Sequence, residues 1–260
     1  MIKTPVLPSI RQVLETDRAW SAYALADLDP AEAGYCVWFS AADAVVLLYR
    51  GLEPPVLFAH GDPGSLAGLL PSVPAGRCVY TLRPDARARF AARLVSGHET
   101  RTWRMVLEPE SFTPPLLEEI VRLGPNDLPH IVTLFGRYPD RPDAFHPRQL
   151  ETGVFFGLRG SDGLLSVAGT HVVSQVEGIA AVGNVFTRPD MRGRGFARAT
   201  TGAVVKALLA SGIQTIVLNV AQDNEPAIRC YRKLGFRQHC FYLEGMGRLR
   251  RTATVKRRIA

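Results

Sequence analysis

The sequence is poor in the residues from which metal sites, disulfide frameworks and membrane spans are built. Its 260 residues include only four cysteines and six histidines. No two cysteines have CxxC spacing, and no two histidines have the spacing of a zinc site on one helix face. We therefore expect reduced cysteines and no metal cofactor. No run approaches the ~18 apolar residues that a membrane-spanning helix needs, and the N-terminus lacks the apolar core of a signal peptide. These absences predict a cytoplasmic protein without membrane partners.

The composition is that of an ordinary globular protein, with 47% hydrophobic and 21% charged residues. It excludes collagen-like, coiled-coil and largely disordered chains. The formal net charge is +7, and five of the basic residues lie within the last eleven positions. We expect this basic tail, residues 250–260, to be a frayed terminus, and we rank nucleic-acid binding last among the candidate functions. The remaining weak positive bias suits a small anionic ligand.

A proline-rich segment, Glu108 to Pro115, divides the chain. Prolines cannot continue a helix or a central strand, so we interpret residues 109–115 as a linker. The linker separates an N-terminal α/β domain, residues 1–108, from a second domain, residues 116–249. We find no catalytic constellation in the first domain.

Apolar periodicity predicts a mixed α/β fold in both domains. The helices predicted outside the motif described next are Ser9–Asp17, Trp20–Leu28, Pro84–Val95, Pro115–Arg122 and Asn126–Phe135. The strands predicted there are Tyr35–Phe39, Ala44–Tyr49, Val56–Ala59, Thr102–Leu107, Val154–Arg159 and Leu164–Val173.

The candidate functional motif lies in one segment, whose predicted order is strand, glycine-rich turn, helix, strand, helix. A strand ending at Thr187 leads into a turn, and a helix with an apolar stripe follows to about Ala210. A β-branched, apolar strand at Thr215–Val220 is typical of burial on both faces. A further helix spans about Asn224 to Leu234, where Gly235 ends it.

The turn before the first of these helices is a predicted anion site. Amide groups at a helix N-terminus have no intrahelical acceptor and lie at the positive end of the helix dipole. Glycine lets a phosphate approach the backbone, and several arginines add charge. A pyrophosphate is the expected ligand. The residues of this turn are Arg192, Gly193, Arg194, Gly195, Phe196 and Ala197, with Arg188 and Arg198 flanking it.

Together these residues resemble the acyl-CoA signature of the GNAT acyltransferase superfamily, Gln/Arg-x-x-Gly-x-Gly/Ala. A strand, an Asn, an Ala, a Tyr and a Gly-Phe pair follow that signature at characteristic distances. The resemblance covers about Val154 to Leu243, and two further runs, 168–173 and 183–187, resemble the branch that includes glycine N-acyltransferases. The matching positions are Arg192, Gly195, Ala197, Asn219, Asn224, Ala227, Tyr231, Gly235 and Phe236.

The resemblance implies a mostly antiparallel twisted sheet flanked by helices, with an acyl-CoA as co-substrate. The turn amides would hold the pyrophosphate, and the pantetheine arm would pair with the backbone of Val185, Phe186 and Thr187 like an added strand. Asn224 matches a cofactor-contacting Asn and is equally a good N-cap. The first domain is hypothesised to be a degenerate copy of this fold.

The resemblance also implies the catalytic roles. Tyr231 matches the family's general acid, which gives a proton to the departing thiolate. Many relatives place a Glu on one of the two central strands as a base, but Asn219 stands at that position. His171 is the best substitute because histidine titrates near neutrality. A water chain or an amine that arrives neutral are the alternatives.

We therefore predict an N-acetyltransferase that moves an acetyl or short acyl group from acyl-CoA to a primary amine of a small molecule or peptide by direct attack in a ternary complex. The missing carboxylate motivates an alternative, a non-catalytic acyl-CoA-binding or sensing module. The loop from Tyr138 to Leu150 is the expected acceptor site. The oligomeric state stays open, a homodimer being one option.

Overall fold

A computed structural model describes residues 7–113, 119–142 and 144–251. Contacts between Cα atoms divide the chain into two compact units. Unit 1 comprises the chain up to Asp17, residues 27–102 and the chain from Phe241, and unit 2 comprises residues 18–26 and 103–240. The domain limits predicted from the sequence stay predictions. Residues 252–260 of the basic tail, and Pro114 and Pro115 of the linker, lie outside the described residues.

The helices and strands alternate along the chain as expected of a mixed α/β protein. The helices are α1 (Leu7–Glu15), α2 (Ala22–Ala26), α3 (Pro63–Leu69), α4 (Pro84–Phe90), α5 (Leu128–Gly136), α6 (Gln149–Thr152), α7 (Phe196–Ala210) and α8 (Glu225–Arg232). The strands are β1 (Cys36–Ser40), β2 (Ala44–Tyr49), β3 (Val56–Gly61), β4 (Gly76–Leu82), β5 (Leu94–Leu107), β6 (Ile120–Leu123), β7 (Phe155–Gly160), β8 (Gly163–Ser174), β9 (Ile179–Thr187), β10 (Thr215–Ala221) and β11 (Phe236–Leu249).

The sheet of unit 1 has the strand order β1-β2-β3-β4-β11. The pairs β1–β2, β2–β3 and β4–β11 are antiparallel, whereas β3 and β4 are parallel. A parallel pair needs a crossover, which α3 supplies. The apolar side chains of these strands form one core with α3 and α4, and the core includes Phe39, Leu57, Leu66, Tyr80, Phe90 and Leu249.

The sheet of unit 2 has the strand order β5-β10-β9-β8-β7-β6. Strands β6 to β9 pair antiparallel, and β9 pairs parallel with β10 through the crossover helix α7. The mixed, mostly antiparallel sheet flanked by helices is the predicted fold class, which is thereby confirmed. One face packs on α7 and α8, with Val182, Val204, Leu208, Leu218 and Tyr231 in the shared core. The other packs on α5 and α6 through Ile131, Phe135, Leu150, Phe155 and Phe186.

Two glycines of left-handed conformation set the ends of α7. Gly195 is its N-cap with φ 84°, and Gly212 follows its last turn with φ 84°. Ile213 N–H donates to the carbonyl of Leu208 at 3.1 Å, which closes the C-terminus in the manner of a Schellman motif. Both ends of α7 are therefore defined by a glycine, and its N-terminus follows β9 in the chain.

Two sequence-predicted helices differ from the structure. Residues 120–122, the end of the predicted helix Pro115–Arg122, lie in β6 because Ile120 to Leu123 pair with β7, and residues 115–118 of that prediction lie outside the described residues. Helix α4 ends at Phe90, five residues before the predicted end at Val95, and a strand begins at Leu94. Within the described residues, no helix is long and apolar enough to span a membrane.

Candidate active site

Strands β9 and β10 are paired only over the first four residues of each strand. Their registered pairs run from Ile179 and Thr215 to Val182 and Leu218. Beyond these pairs β9 continues to Thr187 and β10 to Ala221. The backbone groups on the facing edges of both strands are therefore open to a ligand beyond Val182 and Leu218. We call this opening the fork.

Two irregularities bend the sheet next to the fork. The pairing of β8 with β9 shifts between Val167 and Gly169, and again between Thr170 and Val172. The first shift gives β9 an extra residue near Asn184, which has φ 53°, a conformation rare for a residue other than glycine. The second leaves His171 as the extra residue of β8. Bulges re-aim side chains and raise the local twist, so both irregularities serve to open the fork.

The glycine-rich turn begins five residues after the end of β9, and its first four residues are exposed. Residues 192–195 are all exposed, and the φ angles of Gly193 and Gly195 are 77° and 84°. A Cβ built at either glycine would meet no heavy atom within 4 Å. Because the first-turn amides of α7 have no intrahelical acceptor, they face solvent at the positive end of the helix. The turn therefore has the space and the donors that a pyrophosphate needs.

The arginines of this turn differ in what they contact. Arg188 pairs with two carboxylates, Asp162 and Asp190, each at 2.8 Å, so its charge is already compensated. Arg192 donates through Nε to the carbonyl oxygen of Thr187 at 3.1 Å. The guanidinium of Arg194 lies 5.1 Å from the ring centroid of Phe196. Arg192 and Arg194 thus remain the exposed cations of the turn, and Arg188 is a structural residue there.

The three β9 residues predicted to meet the pantetheine arm lie beyond the last registered pair, as the prediction requires. The side chain of Phe186 is buried and packs edge-on against Phe135, with ring centroids 5.9 Å apart. The hydroxyl of Thr187 is 2.8 Å from that of Ser166. Val185 is half-buried. Their side chains serve packing, so any contact with a ligand at the fork runs through their backbone.

Tyr231, the predicted general acid, lies on α8 in the core that α7 and α8 share with the sheet. Its ring packs edge-on against Phe236. Burial, and to a lesser degree Cys230, raises the pKa of its phenol well above the usual range. Within the described residues its hydroxyl has no hydrogen-bond partner. The phenol is therefore a protonated group without a structural hydrogen bond.

His171, the predicted base, lies on the other face of the sheet. Its Nδ1 is 2.9 Å from the hydroxyl oxygen of Tyr23 in α2. A Cβ built at Gly183 would lie 2.2 Å from Nε2 of His171, so the ring rests on the backbone of that glycine. Val182, the neighbour of Gly183, faces the core under α7. Because successive residues of a strand point to opposite faces, His171 and Tyr231 approach the fork from opposite sides.

Asn224 is the N-cap of α8, and its side chain accepts a hydrogen bond from Ala227 N–H at 3.2 Å. The residue is exposed. Its predicted contact with the cofactor stays a prediction.

Sequence reasoning missed the partner of His171. Tyr23 lies 148 positions away from it in the chain, and no local motif marks it. It also missed Gly183, which the imidazole ring requires, and Gln149, whose Oε1 accepts from Nδ2 of Asn184 at 2.9 Å. Tyr23 and Gln149 come close to the fork only because α2 and α6 pack on the strands in the folded protein.

Comparison with known proteins shows which family this segment resembles. Residues 128–236 match the Acetyltransferase (GNAT) family. This segment is similar to the GNAT acetyltransferases. A mycothiol acetyltransferase of Arthrobacter sp. is 33% identical over 87 residues, which are 32% of this chain and 27% of that protein. One of Clavibacter michiganensis is 27% identical over 218 residues, 81% of this chain and 67% of that protein.

A crystal structure of a putative GNAT acetyltransferase from Novosphingobium aromaticivorans shares the fold. It has a TM-score of 0.61 and 22% identity, and the match covers 90% of this chain and 100% of that one. The match of residues 128–236 to the GNAT family supports the predicted acyl-CoA-dependent acyltransferase, and the matched stretch spans about a quarter of the length of the first of these relatives. The finer resemblance to glycine N-acyltransferases is not confirmed, because the similar curated proteins are mycothiol acetyltransferases.

Proposed function

We propose that this protein transfers an acetyl or short acyl group from acyl-CoA to a primary amine by direct attack in a ternary complex. The observation that carries the proposal is the position of the glycine-rich turn. The pairing of β9 with β10 ends at Val182. The amides of Gly193 to Ala197, which begin six residues after the end of β9, lie at the start of α7. One chain segment therefore contains an open strand edge followed by an anion site. A nucleotide thioester needs both, the strand edge for its pantetheine arm and the anion site for its diphosphate.

The residues present fit coenzyme A. The amides from Arg192 to Ala197 would bind its pyrophosphate, and Arg192 and Arg194 would add charge beside it. The backbone of Val185, Phe186 and Thr187 would hold the pantetheine arm. Asn224, at the start of α8, would contact the cofactor while it caps the helix. No metal takes part in this scheme.

Two side chains would carry out the proton transfers of the reaction. The amine nitrogen attacks the thioester carbonyl carbon, a C–N bond forms and the C–S bond breaks. Tyr231 would give its phenolic proton to the departing thiolate, and its raised pKa means that the phenol carries this proton in the resting protein. His171 would remove the proton that the amine must lose, because neither β9 nor β10 contains an Asp or Glu.

The acceptor is proposed to be a small molecule or a peptide with a primary amine. The loop from Tyr138 to Leu150 connects α5 to α6 and would form part of the acceptor site. The names of the similar curated proteins favour an acceptor related to mycothiol, whereas the resemblance of residues 168–173 and 183–187 favours glycine. Both belong in the first set of amines to be tested.

A second candidate is a non-catalytic acyl-CoA-binding or sensing module. The observation in its favour is Asn219, which stands on β10 where many relatives have a carboxylate base. The bound state of such a module would need the same turn and fork but no acceptor.

One experiment separates the two. Release of free thiol from acetyl-CoA is followed with a panel of primary amines, and binding of coenzyme A is measured by calorimetry on the same sample. Turnover with any amine supports the acyltransferase. Binding without turnover on any amine selects the sensing module, and absence of both binding and turnover overturns the two together.

Unit 1 is proposed to be a degenerate copy of the same fold. It repeats the order of three antiparallel strands, a helix and a fourth, parallel strand that β7 to β10 and α7 show in unit 2. The turn after β3 contains Gly61, Asp62 and Pro63, and the side chain of Asp62 caps α3. A carboxylate at this point repels phosphate, so the copy would not bind coenzyme A.

A further inference from the structure

A single hydroxyl group joins two polar side chains of the fork. The oxygen of Tyr23 lies 2.9 Å from Nδ1 of His171 and accepts a hydrogen bond from Nδ2 of Asn219 at 3.4 Å. His171 is on β8 and Asn219 is on β10, so the two strands that flank β9 are bridged across it. Tyr23 itself comes from α2, more than 100 positions before the GNAT segment starts at residue 128.

Tyr23 is held firmly enough to orient its partners. The guanidinium of Arg104 lies 4.8 Å from the ring centroid of Tyr23 and 5.6 Å from that of Trp20. Arg104 is only 1% exposed and Trp20 is fully buried. A desolvated cation over an aromatic face is attracted to the ring more strongly than a solvated one. The phenol ring is thus fixed between a buried charge and the strands, and its hydroxyl has a fixed position.

The hydroxyl can also accept from the tautomer of His171 that the proposed reaction needs, the one with its proton on Nδ1. A phenol oxygen has two lone pairs, so it can accept from Asn219 and from a proton on Nδ1 of His171 at once. A neutral imidazole protonated on Nδ1 keeps its lone pair on Nε2. Nε2 is the ring nitrogen that lies over Gly183, the first residue of β9 beyond the last registered pair with β10.

We infer that Tyr23 is a positioning residue for acyl transfer, which holds His171 over Gly183 in the Nδ1-protonated tautomer and fixes the amide of Asn219 on the opposite strand. The inference rests on the proposed function, because it assigns to Nε2 the exchange of a proton with the amine. It adds to the site a residue that lies outside the segment matched to the family.

The test uses Tyr23→Phe in the full chain, which keeps the aromatic ring over which Arg104 lies and removes only the hydroxyl. With acetyl-CoA and the best amine of the panel, we expect kcat to fall by about 10- to 100-fold, the cost of a misplaced group, while KM for acetyl-CoA stays within about twofold. Tyr35→Phe, which removes the hydroxyl of an exposed tyrosine in unit 1, is the matched control and should leave both constants unchanged.

A second readout does not depend on activity. In protein labelled with ¹⁵N-histidine, the ring nitrogens of His171 should report protonation on Nδ1 at neutral pH, and Tyr23→Phe should shift them towards an exchanging mixture of tautomers. Gly183→Ala should give a similar loss of kcat, since its Cβ would displace the imidazole ring. An Nε2-protonated His171 in the wild type, or unchanged ring shifts and unchanged kcat in Tyr23→Phe, overturns the inference. A wild type that acylates no amine contradicts the proposed function instead, and the ring shifts then decide on Tyr23 alone.

Discussion

Nη2 of Arg192 lies 2.6 Å from Oδ2 of Asp140. Both side chains are about half exposed, at 48% and 50%. The hydrogen bond from Arg192 holds the pKa of the Asp140 carboxyl below its usual value. A cation of the glycine-rich turn is therefore paired with a carboxylate from the predicted acceptor loop, and that carboxylate competes with a phosphate for the same guanidinium.

Asp140→Asn is expected to tighten the binding of coenzyme A. The substitution releases Arg192 from its ion pair and removes a negative charge beside the turn. Since exposed ion pairs contribute about 0.2–1 kcal/mol, the dissociation constant measured by calorimetry should fall by about 2- to 5-fold at low salt. Asp43→Asn removes the same charge from an exposed position in unit 1 and should have no effect. Unchanged or weaker binding in Asp140→Asn would contradict a role of Arg192 in holding the phosphates.

Gly195→Ala is expected to abolish most of the affinity for coenzyme A at a small cost in stability. A non-glycine residue in the left-handed region costs about 1–2 kcal/mol, and the new methyl group would enter the space next to the turn amides. Gly212→Ala is the matched control, because Gly212 has the same φ of 84° and equally open surroundings at the other end of α7. Both variants should lose similar stability in urea denaturation. If both bind coenzyme A like the wild type, the turn is not the pyrophosphate site.

Tyr231→Phe is expected to lower kcat without changing the affinity for coenzyme A. Loss of a general acid costs about 100-fold or more, whereas the hydroxyl has no hydrogen-bond partner among the described residues, so the fold should be unaffected. Since burial raises the pKa of this phenol, Tyr231 should also contribute no ionisation to the pH–rate profile between pH 6 and about 10. Thiol release that survives undiminished in Tyr231→Phe would remove Tyr231 from the mechanism.

Local sequence patterns predicted the strands and the helix start around the candidate site, because each of these patterns has a local physical cause. The β-branched run at Thr215–Val220 predicted a buried strand, and the structure has β10 there. The glycine at 195 predicted a helix start, and it is the N-cap of α7. The end of strand β9 was predicted at Thr187, where the structure has it. These features depend on the residues within a few positions of themselves, so the sequence contains what determines them.

Features that depend on distant partners were missed. Strand β11 was not predicted, although residues 243–249 pair with β4 along seven positions. Its glycines and arginines weaken the local strand pattern, and the strand forms because β4 provides its hydrogen bonds. Residues 120–122 were wrongly predicted to be helical, because the hydrogen bonds that make them a strand come from β7. Tyr23 lies on a short helix without a polar motif, and its role follows only from its contact with His171.

The stability of unit 1 is expected to fall with rising pH because of Asp27. Burial, with a further contribution from Glu32, raises the pKa of its carboxyl from 3.8 to about 8. A group whose pKa is higher in the folded than in the unfolded state binds its proton more tightly in the folded state. Its contribution to the free energy of unfolding is complete below pH 4 and is lost as the pH rises through about 8.

Asp27→Asn should remove this pH dependence, because the amide stays neutral in both states. In urea denaturation at pH 5, 7 and 9, the difference in free energy of unfolding between variant and wild type should change steadily in favour of the variant as the pH rises. The thiol of Cys36, whose Sγ donates to the Asp27 carbonyl oxygen at 3.4 Å, has a pKa raised to about 12 by burial and so adds nothing in this range. The exposed variant Asp43→Asn should show a constant difference from the wild type. A constant difference for Asp27→Asn as well would mean that its carboxyl is ionised in the folded protein at neutral pH.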